Sequence, residues 1–209
     1  SDLYPDQDSP ELTRDLDWLE TACADFAKNY EGKLATLDAD AMLKCVLEYE
    51  AIDTIAGRIM SFAGLQYYQQ TTDGERAKFM ADMQDTITTF TPLVFFSLEF
   101  NRLDEDALTA LLDENADLAR YKPVFDRMRA MKPHQLSDEL ERFLHDQSTV
   151  GAAAWNRLFD ETIAGLSFTV DGEELTIEGT LNLLTDPDRA KRKAASAELA
   201  RVFQENIRI

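Results

Sequence analysis

Between residues 9 and 100, apolar side chains recur at spacings of three and four, and this period constrains the fold more than any other feature of the sequence. The first stripe starts after Ser9-Pro10-Glu11, a helix-start pattern with serine as N-cap, and stops at Glu31-Gly32. Its members are Leu12, Leu16, Leu19, Cys23, Phe26 and Tyr30. A second helix is predicted from an Asp38 cap to about Gln70, and a third carries Phe79, Met83, Ile87 and Phe90. We therefore expect three long helices in an antiparallel bundle or hairpin stack.

Two breaks divide this helical part. Thr71-Thr72-Asp73-Gly74 separates the second helix from the third. Pro92 removes a backbone donor, so we expect a kink or a short break there in the third helix. The run from Leu93 to Leu98 is apolar on all sides and is expected to be buried.

After Asn101 the helices become shorter, with predicted spans of about 105–112, 115–131, 138–147 and 149–164. The apolar period then changes to two in the segments 166–170 and 174–177, which flank Asp171-Gly172. An Asp-Gly pair between alternating segments predicts a β-hairpin. Asp186-Pro187 opens a last helix.

The predicted fold class is mainly α: a long-helix bundle, then shorter helices, with one β-hairpin near 166–178. We expect a long-helix N-terminal subdomain at 1–112, a second domain with the hairpin at 113–181, and the start of a further lobe at 182–209. Residues 1–8 contain acids and no base, and we interpret them as a flexible leader. The sequence starts at Ser1 and stops at Ile209 within a helical pattern, and both ends look like those of a fragment.

The chain has 40 acidic and 21 basic residues, a formal charge of -19. Such a surface repels phosphate backbones and anionic membranes, so we predict neither nucleic-acid nor membrane binding. It suits solvation, and it also suits attraction of cationic peptides. The run from Arg189 to Lys193 is basic although the chain as a whole is acidic. It is interpreted either as a solvated helix face or as a contact with an acidic partner.

Both cysteines, Cys23 and Cys45, lie in apolar helical patterns. Buried thiols are therefore favoured over a disulfide or a metal pair. This interpretation agrees with a reducing compartment, and we expect a cytoplasmic location.

The two histidines, His134 and His145, limit the chemistry of this chain. A zinc-peptidase helix needs His-Glu-x-x-His, and that motif is absent from the sequence. A carboxylate-bridged di-metal site needs Glu-x-x-His on two helices, whereas Glu141 precedes His145 by four positions and only once. Pairs such as Glu139 and Glu141 are expected by chance in so acidic a chain. No serine-hydrolase elbow or nucleotide-binding loop occurs, so neither catalytic nor metal-binding residues are predicted.

Several segments together resemble a known family. They are Tyr121-Lys122-Pro123-Val124-Phe125-Asp126-Arg127-Met128-Arg129, residues 134–141, residues 153–161, the hairpin at 168–177, and the helix start Thr185-Asp186-Pro187-Asp188-Arg189-Ala190-Lys191-Arg192. Their order resembles the N-terminal region of oligoendopeptidase F, a thimet-oligopeptidase-like family of zinc metallopeptidases. The match covers roughly residues 115–205, and the earlier helices agree in type and position.

The resemblance implies a parent enzyme that cleaves short peptides in a channel between helical lobes, with its zinc site in a C-terminal half not represented here. This chain would supply the N-terminal lobe, form one wall of the channel and be inactive alone. Its expected partners are its own catalytic lobe and, in the parent, short peptides. Residues proposed to lie near the lobe interface are Trp155, Phe159, Phe168, Arg189 and Arg192.

Two further alternatives remain open from the sequence. The first alternative is a stand-alone helical protein-interaction module without catalysis. The second is a carboxylate-bridged metalloprotein. The hairpin either closes the local core or pairs with an extended peptide or a neighbouring sheet.

Overall fold

The computed structural model describes residues 3–90 and 92–207, without the side chains of Leu93 and Val94. Its helices are α1 (Pro10–Tyr30), α2 (Ala39–Gln69), α3 (Gly74–Thr88), α4 (Pro92–Arg102), α5 (Glu105–Glu114), α6 (Ala116–Ala119), α7 (Lys122–Arg129), α8 (Asp138–Asp146), α9 (Ala152–Ala164), α10 (Ile177–Leu183) and α11 (Arg189–Glu205). The strands β1 (Phe168–Val170) and β2 (Glu173–Leu175) form an antiparallel hairpin. Single 3-10 turns lie at Leu34–Thr36 and Lys132–His134. The predicted fold class, mainly α with one hairpin, is confirmed.

The first two helices begin and end where their sequence signals place them. Asp38 caps α2, and its side chain accepts a hydrogen bond from the amide of Ala41 at 2.8 Å. Ser9 occupies the N-cap position of α1, but its hydroxyl is buried and has no hydrogen-bond partner. After α1 the chain turns at Gly32, whose φ of 75° favours a residue without a Cβ atom.

The predicted break at Pro92 is confirmed, and it divides the third predicted helix into two separate helices. Asp73 caps α3, which ends at Thr88. Pro92 is the first residue of α4, where its missing amide hydrogen removes no hydrogen bond. The proline therefore starts a new helix. Of the apolar run predicted to be buried, Phe95, Phe96 and Leu98 are buried, whereas the side chains of Leu93 and Val94 lie outside the described set.

Aromatic rings from four helices form the centre of the main core. Tyr49 stacks on Phe96 with ring centroids 4.1 Å apart, and Phe100 contacts Phe125 of α7 at 4.4 Å. Phe26 of α1 lies 6.1 Å from Phe96. Aliphatic side chains of α1, α2, α5 and α6 surround these rings. Burial of this apolar surface is the main source of stability for the bundle.

The prediction of a flexible leader is wrong from Leu3 onward. Tyr4 is buried, and its hydroxyl donates a hydrogen bond to Oδ2 of Asp15 at 2.8 Å. Arg58 of α2 donates to the same carboxylate oxygen at 3.2 Å and to the carbonyl of Leu3 at 2.8 Å. Its guanidinium carbon also lies 4.5 Å from the Tyr4 ring centroid. Burial, followed by the hydrogen bond to Asp15, raises the pKa of Tyr4 above its ordinary value.

The second half contains two further departures from the predicted elements. The segment predicted as one helix at 115–131 divides into α6 and α7. The second hairpin strand ends at Leu175, because Thr176 caps α10 by accepting a hydrogen bond from the amide of Gly179 at 3.2 Å. Helix α10 was not predicted.

The hairpin packs on α11 in a second, smaller cluster. Phe168, Leu199 and Val202 are buried there, and Phe168 contacts the ring of Phe203 edge-on at 5.8 Å. Asp171 (φ 53°) and Gly172 (φ 83°) form the turn, whose left-handed residues match the twist of a two-residue hairpin. The amide of Thr169 donates to Oε1 of Glu198 at 2.8 Å and fastens β1 to α11.

The two clusters extend across the predicted domain boundaries. The main core continues through Leu118 and Phe125, beyond residue 112, and Phe168 packs with Leu199 across residue 181. The division of a longer protein into domains stays a prediction.

Candidate functional site

Large apolar side chains that remain exposed are concentrated between residues 131 and 159. They are Met131, Leu136, Leu140, Phe143, Leu144, Val150, Trp155, Leu158 and Phe159. Most of them lie on α8 and α9, and neither helix contributes a buried residue of its own. We use the name α8–α9 surface for Leu140, Phe143, Leu144, Trp155, Leu158 and Phe159. Exposed apolar side chains in such number are typical of a surface that contacts another protein.

Helix α8 directs its polar face toward the rest of the chain. Asp138 accepts a hydrogen bond from Nη1 of Arg102 at 2.6 Å, and this hydrogen bond lowers the pKa of Asp138. One turn later, Arg142 donates to Oε1 of Glu31 at 2.5 Å. Nε2 of His145 lies 2.9 Å from the carbonyl oxygen of Thr88, at the end of α3. These polar contacts join α8 to α4, to the end of α1 and to the end of α3.

The opposite face of α8 is apolar and points away from these partners. Leu140, Phe143 and Leu144 recur at helical spacing, and each is more than half exposed, at 51%, 57% and 52%. An amphipathic helix normally buries its apolar stripe. In α8 the polar face instead contacts the rest of the chain, and the apolar stripe is exposed to solvent. We call this arrangement an inversion.

Helix α9 repeats the inversion. Arg157 donates to Oε1 of Gln84 on α3 at 3.1 Å, which fixes the polar face of α9 inward. Trp155 and Phe159 lie one turn apart and are 70% and 65% exposed. The largest apolar side chains of both helices are thus about half exposed or more.

The predicted interface residues have different environments. Trp155 and Phe159 are on the α8–α9 surface, whereas Phe168 is fully buried against Phe203 and α11. Phe168 therefore presents no exposed apolar area. Arg189 is exposed, and Arg192 donates to the carbonyls of Asp186 (2.7 Å) and Pro187 (2.9 Å) at the start of α11. Their roles at an interface stay predictions.

The α8 part of this surface was not predicted from the sequence. The spacing of three and four indicates an apolar stripe on a helix, and its members are Leu136, Leu140, Phe143 and Leu144. Whether this stripe faces the bundle or the solvent could not be predicted, because a periodic pattern does not say which face a neighbouring helix contacts.

The histidines and cysteines do not assemble a metal site in the described part of the chain. His145 contacts the Thr88 carbonyl, and His134 lies on the exposed 3-10 turn before α8. No group of three or more His, Cys, Asp or Glu side chains within residues 3–90 and 92–207 is arranged to hold a metal ion. Cys23 and Cys45 are buried free thiols, and burial raises their pKa values to about 11 and about 12. None of the described helices combines the length and apolar character needed to cross a membrane.

Residues 99–168, which include α8 and α9, match a family model described as Oligopeptidase F. Group B oligopeptidase PepB of Streptococcus agalactiae serotype III (strain NEM316) is 28% identical over an alignment of 193 residues, and the alignment covers 88% of this chain and 32% of that protein. The crystal structure of oligoendopeptidase-F from Enterococcus faecium superposes with a TM-score of 0.76 at 21% identity. It covers 93% of this chain and 40% of the other, and it shows the shared fold.

The family model, the curated relative and the solved structure are thus all oligopeptidases by their descriptions. More narrowly, they support an oligoendopeptidase F-type N-terminal region, which confirms the resemblance drawn from the sequence. The chain spans about a third of the length of the curated relative that it matches.

Proposed function

We propose that this chain is the N-terminal lobe of a zinc-dependent, cytoplasmic oligoendopeptidase that cleaves short peptides. In this proposal the lobe forms one wall of the peptide channel and is inactive alone. The α8–α9 surface packs against the catalytic lobe of the same longer protein.

The observation that carries the proposal is the inversion of α8 and α9. Their polar faces contact the bundle through Arg142–Glu31 and Arg157–Gln84, while Phe143 and Trp155 remain exposed. Exposed aromatic side chains on helices without buried residues favour a covering protein surface over solvent. The family match includes both helices, and the relatives extend well beyond the matched region. A further lobe of the same protein is therefore the occupant that best fits.

The His, Cys, Asp and Glu side chains of the described residues form no group that fits a zinc ion, so in this proposal the lobe performs no catalytic step itself. In the proposed enzyme, the metal and the groups that activate water belong to another part of the protein. The chain contributes the helical wall, and its acidic surface favours the approach of cationic peptides.

The test compares the peptidase activity of this chain with that of the longest product of its gene. Each is assayed with a short quenched fluorescent peptide, with added zinc and with a chelator. The proposal predicts chelator-sensitive cleavage by the long product and none by this chain, with activity restored when this chain is mixed with the separately expressed remainder. Metal-dependent cleavage by this chain alone would refute its assignment as an inactive lobe.

The second candidate is a stand-alone helical interaction module, which the exposed α8–α9 surface also favours. A gene product that ends near Ile209, together with the absence of cleavage, would select this alternative.

A further inference from the structure

The two outer edges of the hairpin have different environments. Val170 and Glu173 flank the two-residue turn, so their backbone groups bond to each other across the ladder. At the next pair, Thr169 and Glu174, the backbone groups of an antiparallel ladder point outward. The amide of Thr169 follows this rule, because it donates to Oε1 of Glu198 on α11 at 2.8 Å. Helix α11 therefore occupies the outer edge of β1.

The outer edge of β2 is open. By the same register, the amide and carbonyl of Glu174 point away from β1, and within the described part of the chain neither has a hydrogen-bond partner. Glu173, Glu174 and Thr176 are all exposed, so this side of the hairpin is accessible. A sheet of two three-residue strands is smaller than a self-sufficient one, and an unpaired edge is a template for a further strand.

The side chains of β2 select the charge of a partner. Glu173 and Glu174 are acidic and exposed, and neither has an ion-pair partner among the described residues. The carboxylate of Glu174 accepts a hydrogen bond from the hydroxyl of Ser167 at 2.6 Å. Pairing of two copies of this chain through β2 would place their glutamates opposite each other, which is unfavourable. A strand that carries lysine or arginine fits this edge better.

We propose that the β2 edge pairs with an extended, basic segment in the remainder of the longer protein, which adds a third strand to the hairpin. The inference rests on the proposed function, because it takes the same remainder as the occupant. The chain covers 32% of the curated relative and 40% of the solved structure, so most of each relative lies outside the matched part. The edge also follows the α8–α9 surface closely along the chain, since α9 ends at Ala164 and β1 begins at Phe168.

Hydrogen exchange at the Glu174 amide tests this pairing directly. In the isolated chain this amide should exchange freely, whereas the Glu173 amide is protected by its bond to β1. Saturation with the separately expressed remainder should slow exchange at Glu174 at least about tenfold, because the amide then donates to a backbone carbonyl. An amide without protection in the isolated chain gains none from global stability alone, so unchanged exchange in the complex would overturn the inference.

A pair of variants separates the backbone from the charge. Glu174→Pro removes the outward amide, and an edge strand tolerates proline where its amide faces outward. Glu174→Ala loses the same carboxylate but keeps the amide. The Kd for the remainder should be at least about tenfold higher for the proline variant than for the alanine variant. Equal Kd values would contradict the pairing. If proline loosens the hairpin, which a shifted Thr169 amide resonance would reveal, exchange in the unmodified chain decides.

A basic peptide distinguishes the proposed occupant from a substrate-like one. The probe is an acetylated and amidated pentapeptide of alternating lysine and valine. Once the remainder is bound, this peptide should cause no further protection of the Glu174 amide. Protection by the peptide and none by the remainder would assign the edge to a peptide and reject the proposal.

The outcomes also separate this inference from the proposed function. If the remainder binds and restores cleavage but leaves the Glu174 amide unprotected, the proposed function stands and the inference fails. If the remainder does not bind the unmodified chain, both fail.

Discussion

Trp155→Ala is the most direct test of the α8–α9 surface. The substitution should have little effect on the stability of the isolated chain and a large effect on its binding to the remainder of the longer protein. Trp155 is 70% exposed, so its removal from the isolated chain should change the free energy of unfolding by less than about 0.5 kcal/mol. A tryptophan buries up to about 250 Å², which leaves on the order of 170 Å² for a partner to cover. At about 25 cal/mol per Å², that area contributes at most about 4 kcal/mol.

Part of this gain offsets the cost of association and of ordering side chains. We therefore expect Trp155→Ala to weaken binding of the separately expressed remainder by about 2–3 kcal/mol, which is about 30- to 150-fold in Kd. Trp18 supplies the matched control, since it is the other of the two tryptophans, lies on α1 and is 42% exposed. Trp18→Ala should leave Kd unchanged.

Fluorescence gives both measurements from one protein. In a Trp18→Phe background, Trp155 is the only tryptophan. Its emission should be that of a water-exposed indole and should be readily quenched by acrylamide. Addition of the remainder should shift the emission to shorter wavelength and protect the ring from quenching. An unchanged Kd in Trp155→Ala, or a large loss of stability in the isolated chain, would refute an exposed docking role for this residue.

Three further predictions concern the hairpin and the thiols. Gly172→Ala should destabilise the hairpin by about 1 kcal/mol, because the residue has a φ of 83°; thermal unfolding measures this, and an unchanged midpoint contradicts it. Glu198 has a pKa lowered to about 2, first by its hydrogen bond to Arg201 and then by the Thr169 amide. Its stabilising contact is therefore complete above the ordinary value of 4.5 and is lost as pH falls through about 2, so the Thr169 amide shift should titrate near 2 and not near 4.5. Cys23 and Cys45 are buried with raised pKa values, and a thiol reagent should label them only after unfolding, so that rapid labelling of the folded chain would argue against this burial.

Local signals in the sequence were sufficient where a single residue determines the backbone. Asp38 was predicted to cap α2, and its side chain does so. The Asp171-Gly172 pair predicted the hairpin, and both residues have the positive φ that such a turn requires. Pro92 was less decisive, because a proline that interrupts one helix also suits the first position of the next.

The features that were not predicted from the sequence depend on contacts between residues far apart in the chain. The acidic leader gave no local indication that Tyr4 would be buried, because its partners are Asp15 and Arg58. The sequence predicted a helix at 138–147, but the orientation of α8 follows from Arg142 and His145 contacting Glu31 and the end of α3. No local pattern contains that information.

The separation of the two hydrophobic clusters has a consequence for how the chain opens. The main core and the Phe168–Leu199–Val202 cluster are joined by α8 and α9, which bury no side chain of their own. The chain should therefore behave as two foldons of unequal size. The hairpin and α11 should exchange their amide hydrogens through a sub-global opening while the aromatic centre of the bundle stays closed. A lobe that covers α8 and α9 would couple these openings, so that docking would make the unfolding of the whole chain more cooperative.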